Sequence, residues 1–469
     1  MKSRSIYWLL MICALTQNLR AQNDSTRVLR FNEFLGLVKK HHPVAKQAGL
    51  LLKSAKAAEQ AARGSFDPKL FYELNDKFYD SKNYYQLGEG GFSVATNIGL
   101  EVKAGYEQNE GIYLNPENTV PGNGLLYTKF SLPLLQGLII DERRAALKQA
   151  KILNELSEVE RLALLNQLMY NAGKAYWDWQ LAYINLKVFN EAVVTAQIRF
   201  EGVKKSWSFG DRPAIDTVEA NIQLQDRIIN YQQGRLDFIT KGLMLSNFLW
   251  VDNDVPVVIT EKTIPEPYIP NGALAVNLNL RVKQMDSLMN NHPELKVYEF
   301  KLKQLQVDKR LKQDKLKPRL NVNYNPLYNP DNLSAGFMNN YKYGISVGFP
   351  VFLRKERGEL AMARIKIDRI GLETGNKRNE LLNKTKVSVN EFNNLLGQID
   401  IYDKNVINYE RLWESEKRLF EQGESSLFMM NSREMSMINA RLKLNEMIYK
   451  NQKALLEADY SFGLLNSMY

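Results

Sequence analysis

The pattern of apolar positions along this chain switches between a helical period and a period of two, and it makes that switch twice. From Leu165 onward, Leu168, Ala172, Ala175, Trp179, Ala182, Leu186, Phe189, Val193, Ala196, Phe200 and Val203 follow a 3,4 spacing without a break. A heptad seam sustained over that distance predicts one very long helix in a coiled-coil-like wall. Counted from Asp141 to Lys205, it would extend about 100 Å at 1.5 Å per residue. Ser208-Phe209-Gly210 predicts a turn. Asp211 and Pro213 then suit the cap and first turn of a return helix reaching about Leu249. A second hairpin repeats the plan, from about Glu356 to Glu421, through Gly423-Glu424-Ser425-Ser426, and back to near Gly463. Its seam, Leu382, Val389, Phe392, Leu396, Ile399, Val406 and Trp413, is less regular.

Before each hairpin the chain contains the same preamble. His42-Pro43 recurs 250 residues later as His292-Pro293, and Pro68-Lys69-Leu70 recurs as Pro318-Arg319-Leu320. The prolines bracket helices that stop at Asp67-Pro68 and Lys317-Pro318. Alternation follows. Leu70, Tyr72, Leu74 and Phe78 oppose Glu73, Asn75 and Lys77, and Leu126, Thr128, Phe130 and Leu132 oppose Lys129 and Ser131. In the second copy Leu320, Val322 and Tyr324 oppose three asparagines. Tyr341, Tyr343, Ile345, Val347 and Phe349 oppose Lys342, Gly344, Ser346 and Gly348. These are strand pairs at 69–80 with 125–133 and at 319–326 with 340–350. Either a half-buried soluble sheet or a membrane barrel with a wet lumen gives this alternation.

The copies differ in one place: Pro68 to Pro133 spans 65 residues, Pro318 to Pro350 only 32. The surplus holds Gly88-Glu89-Gly90-Gly91, Pro116-Glu117-Asn118 and an alternating piece at Leu100, Val102, Ala104 and Tyr106. Both flanking helices must lie on one side of any membrane, so crossings must be even in number. The surplus is read as an outer loop with strand extensions and no extra crossing. The chain then divides into a first repeat (28–250, its hairpin at 141–250), a proline-rich linker (251–278) and a second repeat (279–465, its hairpin at 356–464).

The ends and the composition narrow the setting. Lys2 and Arg4 precede an apolar run from Ile6 to Leu15, and Ala21-Gln22 closes a cleavage zone. Residues 1–21 therefore read as a secretory signal peptide, too short in its apolar part to cross a bilayer core of about 30 Å. The single cysteine, Cys13, lies within it, so the mature chain has no disulfide. Removing Lys2, Arg4 and Arg20 lowers the formal charge from +10 to +7, with no basic tract of the kind that binds nucleic acid. No later segment has the ~18 consecutive apolar residues of a membrane helix, so any membrane crossing must be made by strands. The histidines are His41, His42 and His292, and no phosphate-binding glycine loop occurs. No catalytic, cofactor-binding or metal-binding set is expected, and His42 and His292 read as markers of helix entry.

The order helix, strand pair, long helix, return helix, given twice, resembles the TolC-like outer-membrane efflux family. The paired His-Pro sites, the strand-ending Pro133 and Pro350 and the spacing of Gly210 to Asp216 carry the likeness. The resemblance implies a mainly α fold with membrane β, in which a homotrimer forms a 12-stranded β-barrel continuous with a periplasmic α-helical barrel. Closure itself asks for assembly, because about eight strands is the smallest membrane barrel. The implied function is a passive outer-membrane exit duct of a tripartite efflux pump or type I secretion system. Its implied partners are outer-membrane lipid, a periplasmic adaptor and an inner-membrane pump of RND, ABC or MFS type. A soluble periplasmic coiled-coil scaffold is the alternative. In the family acidic side chains ring the periplasmic aperture, which points here to Asp216 and Glu219. On the second hairpin the family spacing counted from Gly423 falls on Met429 and Ser432, leaving Glu424, Asn431 and Glu434 as substitutes. Phe428, Met429 and Met430 form an apolar cluster there, suited to packing the tip or meeting an adaptor. Glu73, Lys77, Lys129 and Lys342 are the lumen candidates, and Phe78, Tyr79, Tyr341 and Phe349 the aromatics of an interfacial girdle.

Overall fold

A computed structural model describes residues 27–267, 272–331 and 339–468. The expected signal peptide and Cys13 lie outside them. In chain order the first repeat contains β1 (Arg27–Leu29), α1 (Phe31–His41), α2 (Pro43–Arg63), β2 (Lys69–Tyr79), β3 (Lys82–Ala95), β4 (Glu101–Glu110), β5 (Leu125–Pro133), α3 (Glu142–Ser208) and α4 (Ala214–Ser246). Then follow β6 (Trp250–Val251), β7 (Val255–Pro256), β8 (Thr263–Pro265), α5 (Gly272–Lys283) and α6 (Met285–Asn290). The second repeat completes the chain with α7 (Pro293–Asp314), β9 (Arg319–Tyr328), β10 (Tyr341–Gly348), α8 (Arg354–Glu421), α9 (Leu427–Ser461) and α10 (Leu465–Met468). Two compact units result. One comprises the chain up to His42, Asn171–Asn271 and Asn394–Lys453; the other comprises Pro43–Tyr170, Gly272–Asn393 and the chain from Ala454.

In the second unit all the long strands join one antiparallel sheet, in the order β10-β9-β5-β4-β3-β2. Asp80 and Ser81, both at positive φ (47° and 57°), make the tight two-residue turn from β2 to β3. The turn from β3 to β4 is held by Thr96, whose backbone N–H and hydroxyl both donate to the Leu100 carbonyl. It lies at the helical end of the sheet, where Arg143 at the start of α3 contacts Glu101 at 2.6 Å. So β3 and β4 run the full height between loop end and helix end. The surplus of the first repeat is thus two further strands, and the chain brings six strands to the sheet where four were expected.

Glycine explains why the surplus looked like a loop. A run such as Gly88-Glu89-Gly90-Gly91 reads as a turn signal, yet inside a strand glycine marks a close approach. A Cβ on Gly90 would lie 3.1 Å from the Tyr72 ring, and one on Gly91 only 2.2 Å from the Ala104 carbonyl oxygen. On β4, Gly105 lies under Tyr127, whose hydroxyl would be 2.8 Å from an added Cβ. The missing side chains make room for rings and strands already there.

In the first unit the seam of α3 is covered as its period requires. Ala172, Trp179, Ala182, Ala196 and Val203 are buried and the other seam residues of this unit half-buried. Trp179 stacks on Phe238 of α4 at 6.0 Å. Gly234 of α4 has no room for a Cβ, which would lie 2.7 Å from Phe189. A second stripe, Val188 and Ala192, packs on Met437 and Ile438 of α9, so α3 has neighbours on two sides.

The expected linker is more structured than its prolines imply. β6 pairs with β7, and β8 pairs in parallel with β1 (Val28 opposite Ile264). Tyr176 ties that ladder to α3: its hydroxyl donates to the Leu29 carbonyl at 2.8 Å and accepts from the Glu266 N–H at 3.3 Å. From Gly272 the chain is already helical as α5. His42 and His292 share one extended conformation (φ −63°, ψ 135° and φ −61°, ψ 128°), each just before a helix that opens on proline.

Candidate functional site

Two surfaces carry the residues singled out in the sequence. The first is the sheet. Register places Leu70, Tyr72, Leu74 and Phe78 on one face together with Phe92, Val102, Phe130, Tyr324, Tyr343, Ile345 and Val347. The face is open to its surroundings: Leu70 is 77% exposed, Tyr72 75% and Val347 71%. Glu73, Lys77, Lys129 and Lys342 lie together on the opposite face, with Glu89, Lys103, Glu107, Asn321, Asn323 and Asn325. There Lys103 contacts Glu89 at 2.6 Å and lies 4.0 Å from the centre of the Phe71 ring, and the Tyr127 hydroxyl also donates to Glu89. Adjacent rows on this face differ in sign: Glu73, Glu89 and Glu107 neighbour one another across three strands, and Lys103 neighbours Lys129. Glu89, Lys103 and Glu107 were not among the lumen candidates, because their segments read as loop.

The second surface is the end of the helical hairpins in the first unit. Asp216 sits in the first turn of α4 and pairs with Arg212 at 3.4 Å; Arg212 in turn covers the Phe420 ring at 4.0 Å. Glu219 accepts from the Asn431 amide at 3.0 Å. Glu424 is exposed in the turn between α8 and α9. Glu434 is not an aperture-facing carboxylate within this chain. Its side chain is 1% exposed, held by Arg199 at 2.5 Å and Arg227 at 3.5 Å. Asn431 is likewise buried and accepts from Arg199 at 2.5 Å. Substitution into a family spacing pointed these two outward; the facing arginines of α3 and α4 bring them in. Met430 joins a core of Val203, Ala220, Phe420 and Leu427, whereas Phe428 and Met429 stay exposed.

The sequence reading missed one further surface. On α4, Ile215, Ile222, Ile229, Leu236 and Leu243 recur every seventh residue, and all are between 51% and 67% exposed. A heptad stripe left uncovered along a helix is the signature of a partner helix. Its seven-residue period is present in the sequence, but over five positions it is weaker than the longer seam of α3.

In the second unit His292 is fully buried and its Nδ1 accepts from the Glu294 N–H at 3.2 Å, capping α7. Burial pushes His292 below the usual imidazole range. Burial pushes the Glu294 carboxyl up, but Lys377 at 2.8 Å and the Tyr460 hydroxyl hold it below the carboxylate range. Burial pushes Asp459 up to about 6 against the pull of Arg281, to which it is bonded. Among the described residues no group of three or more His, Cys, Asp and Glu could hold a metal ion. Nor is any helix among them long and apolar enough to cross a membrane.

Residues 285–457 match the family model described as outer membrane efflux protein. No curated protein matches the sequence. Among solved structures, the CmeC outer membrane channel of Campylobacter jejuni superposes with a TM-score of 0.64 at 15% identity, over 92% of this chain and 85% of that one. The outer membrane protein VceC of Vibrio cholerae gives 0.65 at 13% identity, over 92% and 96%. The MtrE outer membrane channel of Neisseria gonorrhoeae, in its open state, gives 0.66 at 11% identity, over 95% and 93%. Its second repeat thus carries the sequence pattern of outer membrane efflux proteins, its fold is that of outer-membrane channels over nearly the whole chain, and the chain resembles the TolC-like family in both.

Proposed function

We propose that this protein is the outer-membrane exit duct of a tripartite efflux pump or type I secretion system, acting as a passive homotrimer. One observation carries the reading: the sheet has a continuous apolar and aromatic face open to the surroundings and a polar, charged face behind it. In water the exposed Leu70, Tyr72, Tyr343 and Val347 would be an aggregation hazard. In a bilayer the same face is the lipid-contacting band, and the charged face lines a wet lumen. A soluble scaffold has no use for such a face. The sheet also ends in two unpaired edges, β2 and β10, and an open edge in lipid costs several kcal/mol per unsatisfied backbone group. Further copies remove that cost, and the uncovered heptad stripe of α4 supplies the matching helical contact.

The hairpin ends would form the periplasmic mouth and dock a periplasmic adaptor, which joins the duct to an RND, ABC or MFS pump in the inner membrane. Exposed Phe428, Met429 and Phe209 offer that partner an apolar contact. Asp216, Glu219 and Glu424 remain the aperture carboxylates in this proposal. Glu434 and Asn431 are assigned a different task, tying α9 to α3 and α4 so that the mouth stays shut until an adaptor engages it. The test is the mass of detergent-extracted protein, with single-channel recordings of Asp216→Ala and Glu219→Ala. Three chains and a lowered cation preference are expected. A monomer with native helicity and no need of detergent would overturn the reading, and unchanged selectivity would remove the two acids from the mouth.

A further inference from the structure

The hairpin β3–β4 has no counterpart in the second repeat, where β9 is followed directly by β10. Its strands lie inside the sheet, β4 between β3 and β5, and not along its rim. Their lengths are 14 and 10 residues, enough for a tilted membrane strand, which needs about 9–11. From Gln86 to Ala95 of β3 and through β4 the side-chain alternation keeps its faces; a bulge at Tyr84 shifts only the loop end of β3. One outward row runs Val94, Val102, Phe130, Tyr324, Tyr343 across five strands, so the hairpin presents to lipid what its neighbours present. The inward positions Glu89, Lys103 and Glu107 continue the charged face.

We infer that this hairpin is part of the membrane wall, so that three subunits close an eighteen-stranded barrel in which β10 of each copy pairs with β2 of the next. The inference rests on the trimeric duct proposed above and sets its bore. Every neighbouring pair in the sheet is antiparallel, so the two edge strands of a six-stranded sheet run in opposite directions. Pairing them between copies therefore continues the antiparallel alternation around a ring. Barrel diameter grows roughly linearly with strand number, so eighteen strands give a bore about one and a half times that of twelve. Barrels of 16–18 strands enclose an open aqueous channel without a plug. The charged pair Glu89–Lys103 would sit on that lumen wall, held flat by Tyr127.

Two measurements on the full chain, with Cys13→Ser as background, test this separately from the duct itself. Single cysteines at Phe92 and Ala104 (outward), Ser93 (inward), and Leu70 and Tyr343 (outward, on the shared strands) carry an environment-sensitive dye in bilayers containing brominated lipid. Quenching at Phe92 and Ala104 equal to that at Leu70 and Tyr343, with Ser93 spared, is the expected result. Quenching only at Leu70 and Tyr343 would put the hairpin outside the wall and overturn the inference while leaving the duct intact. No quenching at any position would overturn the duct. Cysteine pairs joining Leu74 of β2 to Tyr343, Ile345 or Val347 of β10 then count the copies. A closed cross-linked ring of three chains supports eighteen strands, a ring of two would make twelve and overturn it, and no ring would refute the edge pairing.

Discussion

Replacing Glu434 with alanine should loosen the hairpin end far more than any surface change of the same size. The carboxylate is 1% exposed and lies between Arg199 (6%) and Arg227 (2%), at 2.5 and 3.5 Å. The Nε atoms of both arginines are already without a partner, so the removed charge has no local substitute. Breaking a buried pair by deleting one partner leaves an uncompensated charge and costs about 3–5 kcal/mol. Here two guanidinium groups are stranded, so the upper half of that range is expected. Glu434→Gln, which keeps the shape and one acceptor, should cost about 1–3 kcal/mol. Adding Arg199→Met to Glu434→Ala removes one stranded charge and should recover part of the loss, a coupling that a double-mutant cycle reads directly. The assay is amide hydrogen exchange in detergent-extracted protein over α3 near Arg199, α4 near Arg227 and the first turns of α9. Each 1.4 kcal/mol is tenfold, so exchange there should quicken about 10³-fold or somewhat more. Protection unchanged within threefold, or no recovery on adding Arg199→Met, would show that the buried network does not hold the hairpins together.

Three further outcomes follow from the same geometry. Ile229→Glu with Leu236→Glu, on the uncovered stripe of α4, should convert the assembly to monomers by mass while circular dichroism stays native, because both positions are exposed in one chain; retained assembly would deny the stripe its partner. Asp459, with its pKa raised to about 6, binds protons more readily folded than unfolded. Its ionised form weighs against the fold above pH 6 and that penalty fades as pH falls towards 4. Wild-type stability measured against Asp459→Asn should therefore rise by about 2 kcal/mol on acidification from pH 7.5 to 4.5, and a parallel pair of profiles would refute the assignment. Gly105→Val should lower the thermal midpoint, at a cost of about 1–3 kcal/mol from overpacking against Tyr127. Gly122→Ala, with nothing within 4 Å of the added carbon, should be neutral.

The duplicated plan was legible because its signals are long or repeated. The seam of α3 spans many turns, and the His-Pro and Pro-x-Leu pairs recur at a fixed offset, so the helix ends and outer strands fall within a few residues of expectation. The inserted strands were not legible, since Gly88, Gly90, Gly91 and Gly105 look like turn residues until Tyr72, Ala104 and Tyr127 are placed against them. The segment after Pro256 reads as a linker because its prolines lack ladder donors; β8 nonetheless pairs at the edge position that proline tolerates. The aperture assignments separated for a similar reason. Asp216 and Glu219 follow from position in a first turn, a local matter. The placement of Asn431 and Glu434 depends on Arg199 and Arg227, more than 200 residues away in sequence, which no local spacing reveals.

The most direct measurement is of ion flow through the purified protein inserted in a planar bilayer. A duct built as argued here predicts discrete, ohmic single-channel steps that grow when Glu434→Ala releases the hairpin ends. Protein that enters the bilayer and yields no steps, in the wild type or in Glu434→Ala, would contradict the account.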